Sequence, residues 1–485
     1  MRIKYRQTVI VILGVQTMLI CYHMLLSSEN SLAKRMHLNS KSLDIFLPQS
    51  QSSKMTKKVN QTNTLQLMKE IHVTNGDCIN IMYPAELLKE ESWRRVDEKE
   101  NAFVFSAYIV EQSGKIKVVG ASTRSIAKIF CQYWHLMPAN DTIIMHEKPA
   151  NIHVLPESHG KKYSGSVFIC PGVPSNTHYI SLVTSQCQVP LHLLKVKNGR
   201  APQKYQRKFT VCLKPLHFRY GRAYELVEWI EFNKMLGAEK IIVYNYSIAM
   251  NTDQVLNNYV EEDIVEVVQW DLPIKSYTWP KTSDTVDIHS IGMIPMLQDC
   301  LYRNRAHSEF VINVDVDEFI IPHSDNASTW SELFTQLPSE YDTYIFRNTF
   351  FRKEWTSYIN QFRNKIIAQK FNIISLQYFE HEDVIFPARS RSKYFTRTIK
   401  EDKSLMIHEV SGSRSYTVPV ELGLLHHYRN WQNYKDTSRR IVDKTVLIKY
   451  GEKTNHRVQK RWEKARKCKT GYASFKNNFG EAVRI

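Results

Sequence analysis

The sequence predicts an α/β chain: a mostly parallel sheet domain, preceded by a smaller β-rich module and an N-terminal transmembrane anchor. Three observations carry this. Short apolar strands alternate with helical stretches from residue 209 onward, alternating runs punctuated by Gly and Pro fill 101–188, and a nineteen-residue stretch near the start holds no acid, Lys or Arg.

Residues 1–7 carry Arg2, Lys4 and Arg6 as a cytoplasmic tail, and residues 8–26 follow as TVIVILGVQTMLICYHMLL. That is close to the ~20 apolar residues a spanning helix needs. The basic head stays cytosolic by the positive-inside rule. No small-residue cleavage site follows, so a signal anchor is expected rather than a removed leader. Residues 27–75 are rich in Ser, Asn, Gln and Lys, with Phe46 their only aromatic, and read as a flexible stem. Sequons stand at Asn60, Asn140, Asn245 and Asn326.

The 485 residues carry a formal net charge of +17, which favours anionic partners such as phosphates, anionic lipid surfaces or acidic glycans. Nucleic acid would need a basic stripe interleaved with aromatics, or a known module, and neither is present; no nucleic-acid partner is expected. The densest basic stretch, 457–469, reads as a solvated helix face.

Of eight cysteines, Cys21 falls in the anchor. The other seven face an oxidising lumen, an odd number that leaves one free or intermolecular. No Cys-x-x-Cys pair occurs, so a structural zinc site is not expected. Nearness in sequence makes Cys170–Cys187 the expected local bridge.

Residues 76–205 form the β-rich module, with a default role in packing or acceptor recognition. The domain at 206–485 opens with a strand at 209–213. A helical stripe over 222–236 is stopped by Gly237. Strands at 240–244 and 264–270 and helices at 253–259 and 290–306 continue the alternation.

Residues 310–322, FVINVDVDEFIIP, organise this domain. Asp315 and Asp317 stand at i and i+2, so they leave the strand end on one side while Val314 and Val316 turn to the core. Paired acids repel each other and are costly to bury unless a cation offsets them. A lone Asp-x-Asp is more often a solvated turn; this one ends one apolar run and enters another, which favours the metal. Residues 423–429, GLLHHYR, end a further apolar run in two histidines and Arg429. A histidine there is more often structural, but imidazole beside paired carboxylates suits Mn2+, and Arg429 suits a diphosphate.

At these residues the chain resembles glycosyltransferase family 92. The likeness rests on KPLHFRYGRAYELVEWIEFNKMLGAEKIIVYNYS (214–247), QDCLYRNR (298–305), NVDVDEFIIP (313–322) and LLHHYR (424–429), and runs over about 209–450. It implies a GT-A-type nucleotide-sugar-binding domain in a type II Golgi membrane enzyme, with inverting transfer of galactose from UDP-galactose into a β-linkage. The implied acceptor is a glycan or glycoprotein, for instance at a core fucose. By the same resemblance Asp315, Asp317 and His427 hold Mn2+, and Asp315, Lys214, Arg222 and Arg429 bind the donor. An inverting displacement needs a base, with Glu380, Glu382 and Asp383 as candidates and Glu354 as another, although any one of the first three is slightly more often a solvated turn. HFRYGR (217–222) departs from the shorter proline–loop–aromatic segment expected of the family, and an altered nucleotide entrance is expected from it. The Golgi membrane is the remaining implied partner, and a homodimer is left open. Two rival readings stand beside this one: a non-catalytic lumenal glycan-binding or cargo protein on the same fold, and a phosphotransferase.

Overall fold

Runs of Val, Ile and Phe from residue 207 onward form the strands that such residues favour. The computed structural model describes residues 71–467, apart from 74–77, 79–80, 82–83, 88–90, 111–113, 138–141, 173–176, 278–284, 356–364, 401 and 431–438. The expected tail and anchor, and nearly all of the expected stem, lie outside the described residues. Among the described residues no helix is long and apolar enough to cross a membrane.

Four parallel strands, Val265–Gln269, Lys240–Asn245, Arg207–Leu216 and Ser308–Asn313, lie side by side in that order. Lys393–Arg397 then enters antiparallel against Ser308–Asn313. Thr343–Phe346 and Ser415–Thr417 complete a seven-stranded mixed sheet. Helices Ala223–Leu236, Met250–Val260 and Met293–Asn304 connect the parallel strands, as the periodicity predicts. Gly237 ends the first of them at φ 127°, a conformation that only glycine adopts cheaply, and its N–H reaches the carbonyls of Asn233 and Lys234.

Alternation along the strands buries both faces of this sheet. Val211, Leu213, Ile241 and Val243 face one core, with Trp229, Phe232 and the C-terminal helix Thr445–Lys467. Cys212, Ile242, Tyr244 and Val268 face another, which they share with Met296, Leu297 and Leu301 of Met293–Asn304.

That second core also takes in Trp93 and Phe105, whose rings lie 5.0 and 4.6 Å from Trp270. Phe105 belongs to a separate ten-stranded sheet built from residues 71–198, mostly antiparallel. A buried carboxylate ties the two sheets together. Asp299 accepts hydrogen bonds from Ser106 Oγ (2.6 Å) and Tyr108 Oη (2.8 Å) on one oxygen, and from Tyr244 Oη (2.6 Å) and Arg303 Nε (3.0 Å) on the other.

The cysteines pair differently from the expectation. The bridges are Cys78–Cys187, Cys131–Cys170 and Cys212–Cys300, so Cys170 and Cys187 are not joined to each other. The ten-stranded sheet folds back on itself around an apolar interior. Cys131 and Cys170 meet there although their strands are five places apart in its order. Sequence proximity is overruled by that curvature. Cys21 and Cys468 lie outside the described residues.

The basic C-terminal stretch is also more than a solvated face. Arg461 is buried, with guanidinium bonds to Glu262 (2.6 and 2.9 Å) and Glu231 (3.2 Å), and its cation lies 3.9 Å from the Tyr259 ring centroid.

Candidate active site

Ser308–Asn313 ends at the carboxyl edge of the parallel sheet, where open α/β sheets bind ligands. The chain then crosses to a second, five-stranded sheet through Val314–Asp317. That sheet runs in the order Glu318–Pro322, Gly423–Arg429, Asn348–Arg352, Glu380–Glu382, Arg440–Val442. Val314 and Val316 are buried, as alternation predicts. Asp315 and Asp317 therefore sit where the two sheets meet.

The two acids have different neighbours. Asp315 Oδ2 lies 3.2 Å from Lys214 Nζ and 3.5 Å from Lys393 Nζ, while its Oδ1 is buried with no hydrogen-bond partner. Its side chain is 15% exposed, Lys214 31% and Lys393 only 1%. Asp317, 33% exposed, faces His427 at 3.5 Å. His427 is delivered by antiparallel pairing: it lies directly opposite Glu318, and the Tyr428 N–H donates to the Asp317 carbonyl at 2.9 Å. Glu318 is buried, approaches Lys393 at 3.5 Å and His427 Nδ1 at 3.2 Å, and accepts the Asp315 N–H at 2.9 Å.

Burial alone would raise the pKa of every acid here. Lys214 and Lys393 nevertheless hold Asp315 below the usual carboxylate range, and His427 and Lys214 hold Asp317 well below it. Glu318 goes the other way, pushed up by burial and by the charges of Asp315 and Asp317 despite Lys393. Burial disfavours both lysine cations, yet the acids keep their pKa values raised.

Arg222 precedes the first turn of Ala223–Leu236, 3.2 Å from Glu225 and with its guanidinium 5.1 Å from the Tyr220 ring. Burial works against its cation, but Glu225, Tyr220 and Asp317 hold its pKa above the usual value, which places it in the field of the site. Arg429 ends the His427 strand, two residues on and on the same face. Lys214, Arg222, Asp315, Asp317 and His427 are thus gathered at one edge, with Arg429 at the end of the same strand as His427.

The three candidate bases are not drawn into this group. Their strand lies two places from the His427 strand, roughly 10 Å at about 4.8 Å per strand. Glu382 is buried against Arg352 at 2.6 Å, and Glu380 lies 3.8 Å from Arg440. Asp383 is exposed.

Lys393 and Glu318 are the residues that sequence reasoning missed. Lys393 belongs to the stretch 390–398, SRSKYFTRT, which is basic and aromatic but carries no motif. Its role appears once Lys393–Arg397 pairs with Ser308–Asn313, bringing Tyr394 opposite Asn313.

The donor chemistry fits a hard divalent cation. Asp317 and His427 face each other, and Asp315 carries a buried oxygen that lacks a partner. The three do not yet converge on one point: Asp315 and Asp317 do not join His427 in any cluster with donor atoms all within 4.8 Å of one another among the described residues.

The sequence profile of glycosyltransferase family 92 matches residues 207–475, more than half of the chain. The chain belongs to glycosyltransferase family 92. A curated relative, beta-1,4-galactosyltransferase galt-1 of Caenorhabditis elegans, is 24% identical over 237 residues, covering 46% of this family 92 chain and 52% of that one. The chain therefore spans about half the length of the relative it matches. Among solved structures, Staphylococcus aureus TarS 1–349 in complex with UDP-GlcNAc overlaps 48% of the chain and 61% of its own at 12% identity and a TM-score of 0.24. Glucosyl-3-phosphoglycerate synthase of Mycobacterium tuberculosis, in complex with Mn2+, UDP-glucose and phosphoglyceric acid, overlaps 40% and 57% at 14% identity and a TM-score of 0.20. At these scores nothing is transferred from either structure to this chain.

Proposed function

We propose that this family 92 chain is an inverting, divalent-cation-dependent galactosyltransferase. It moves galactose from UDP-galactose into a β-linkage on a glycoprotein glycan, a fucose being the acceptor we favour. The observation that carries this reading is the facing pair Asp317 and His427 beside the lysine-bound Asp315, at the carboxyl edge of the parallel sheet. The name of the nematode relative supports galactose as the sugar. We further propose a GT-A-type domain at 206–485, a β-rich module at 76–205, and a type II Golgi anchor at 8–26.

Asp317, His427 and the free oxygen of Asp315 would hold Mn2+, which when bound supplies Lewis acidity toward the departing diphosphate. The remaining work falls to the chain's own side chains. Lys393 and Lys214 keep Asp315 ionised. Lys214, Arg222 and Arg429 offer charge-assisted hydrogen bonds to phosphate oxygens. As the acceptor hydroxyl oxygen bonds to the anomeric carbon and the carbon–phosphate-oxygen bond breaks, the hydroxyl proton passes to a carboxylate.

A donor panel on the purified full chain, with fucosylated and defucosylated N-glycans and with or without EDTA, tests this. UDP release and transfer from UDP-galactose, abolished by EDTA, is expected. Glycan binding without turnover would make the chain a lectin, and release of UMP would make it a phosphotransferase.

A further inference from the structure

Successive residues of a strand point to opposite faces, so His426 is turned away from the site that His427 serves. It is fully buried and meets His323 and Asp443 on its own side. His426 Nε2 lies 2.8 Å from His323 Nε2 and 3.5 Å from Asp443 Oδ2, and His323 Nε2 lies 3.7 Å from the same oxygen. Tetrahedral zinc holds its ligands at about 2.0–2.2 Å, which spaces donor atoms about 3.3 Å apart. The three edges observed here bracket that spacing.

Two further features point to a ligand. His323 and Asp443 line a cavity of about 600 Å³, also walled by His381, Leu424 and Ile441, so one side of the cluster is open. One ammonium in that wall, Lys449 Nζ, is spent on the carbonyls of Pro322, Ser324 and Ala327 (3.1, 2.6 and 3.1 Å). Asp443 itself is steadied by the Thr445 N–H, which donates to its Oδ1 at 2.8 Å and leaves Oδ2 toward the histidines.

We propose that His323, His426 and Asp443 form a second metal site, for a zinc-type dication with its fourth position open to water from the cavity. Three ligands and an open position are the arrangement of accessible zinc sites, and imidazole with carboxylate suits such an ion. The metal would clip together the end of Glu318–Pro322, the strand that carries His427, and the start of Thr445–Lys467. It would thereby fix the backbone of His427 from behind. The inference stands whether or not the transfer reaction is the one proposed above.

The test is zinc binding by the full chain after chelator stripping, followed by titration, elemental analysis and the unfolding midpoint. The wild-type chain and a first-site variant, Asp317→Asn, are expected to retain one zinc and to gain thermal stability from it. His323→Gln is expected to bind zinc at least tenfold more weakly and to gain none. Asp443→Asn, on the open side of the cluster, gives the same comparison should His323→Gln fail to fold. Equal zinc binding by wild type and either cluster variant overturns the proposal. So does zinc that is lost with Asp317→Asn, or a wild-type chain that binds none.

Discussion

Two aspartates, the buried Asp299 and the half-buried Asp315, meet opposite fates within one fold. Asp299 has four donors on its two oxygens, two hydroxyls on one and a hydroxyl and a guanidinium on the other. A carboxylate has about four lone-pair sites, so its capacity is filled. Asp315 has two ammonium groups crowded toward one oxygen and none on the other, which is buried. A finished network holds a fold together; an unfinished one at the carboxyl edge of a parallel sheet leaves an oxygen for a ligand. Both aspartates fall in segments that carry the family likeness, so likeness alone does not separate scaffold from site. Saturation does.

The largest effect expected from this contrast is on stability, at Asp299. Asp299→Ala leaves Arg303 with only its outer partners Glu91 and Glu266, and strands the hydroxyls of Tyr108 and Tyr244. Breaking a buried pair in this way costs about 3–5 kcal/mol, read by denaturant unfolding, while transfer per folded molecule stays near wild type. A variant that stays stable but loses transfer would break the contrast.

Asp317→Asn is the converse. The neutral amide gives up the pairing with His427 and Lys214 that holds the Asp317 carboxyl below its ordinary pKa, but the side chain is a third exposed, so the unfolding midpoint should fall only slightly. Losing a charged metal ligand should lower transfer about a hundredfold or more, equivalent to roughly 3 kcal/mol of barrier. A stable variant with near-wild-type UDP release would remove the metal reading.

How much of this was legible in the sequence follows from the range of each interaction. Helix Ala223–Leu236 and its Gly237 stop, the parallel strands, and the Asp315–Asp317 pair are written in neighbouring residues, so periodicity and turn chemistry expose them. His427 was legible as an end-of-strand imidazole. Lys393 was not, because its partners lie some eighty residues back and only the Lys393–Arg397 pairing brings them together. The bridges Cys78–Cys187 and Cys131–Cys170 depend on how a sheet curls, which no local pattern encodes. The same holds for Arg461, whose acids sit on elements about two hundred residues away.

A second fully buried acid sharpens the comparison through pH. Glu228 accepts N–H bonds from Ile374 and Ser375, both at 2.8 Å, and burial pushes its pKa from 4.5 up to about 7. Arg303 instead holds the pKa of Asp299 below its ordinary value against the same burial. With Glu228 raised in the folded state, the native protein binds more protons than the unfolded one between about pH 4.5 and 7. Its contribution is then full below pH 4.5 and is lost as pH rises toward 7, by about 3 kcal/mol at most. Glu228→Gln should flatten that limb of a stability–pH curve; an unchanged curve would mean that the two N–H bonds keep Glu228 ionised throughout.

The smallest effect belongs to Lys214, and it separates two roles that meet on one carboxylate. Lys393 is buried and reaches both Asp315 and Glu318, whereas Lys214 is 31% exposed and reaches Asp315 from the solvent side. Exposed ion pairs contribute about 1 kcal/mol or less to stability. Lys214→Met should therefore barely move the unfolding midpoint, because Lys393 continues to offset Asp315. Its charge is the one placed to meet an incoming diphosphate, so its removal should weaken donor binding by about tenfold, or roughly 1.4 kcal/mol. That loss should appear as a higher KM for the UDP-sugar with kcat largely kept, since ground state and transition state both lose the contact. Loss of stability as large as that of Asp299→Ala would place Lys214 in the scaffold, and a fall in kcat at unchanged KM would place its charge on the departing group alone.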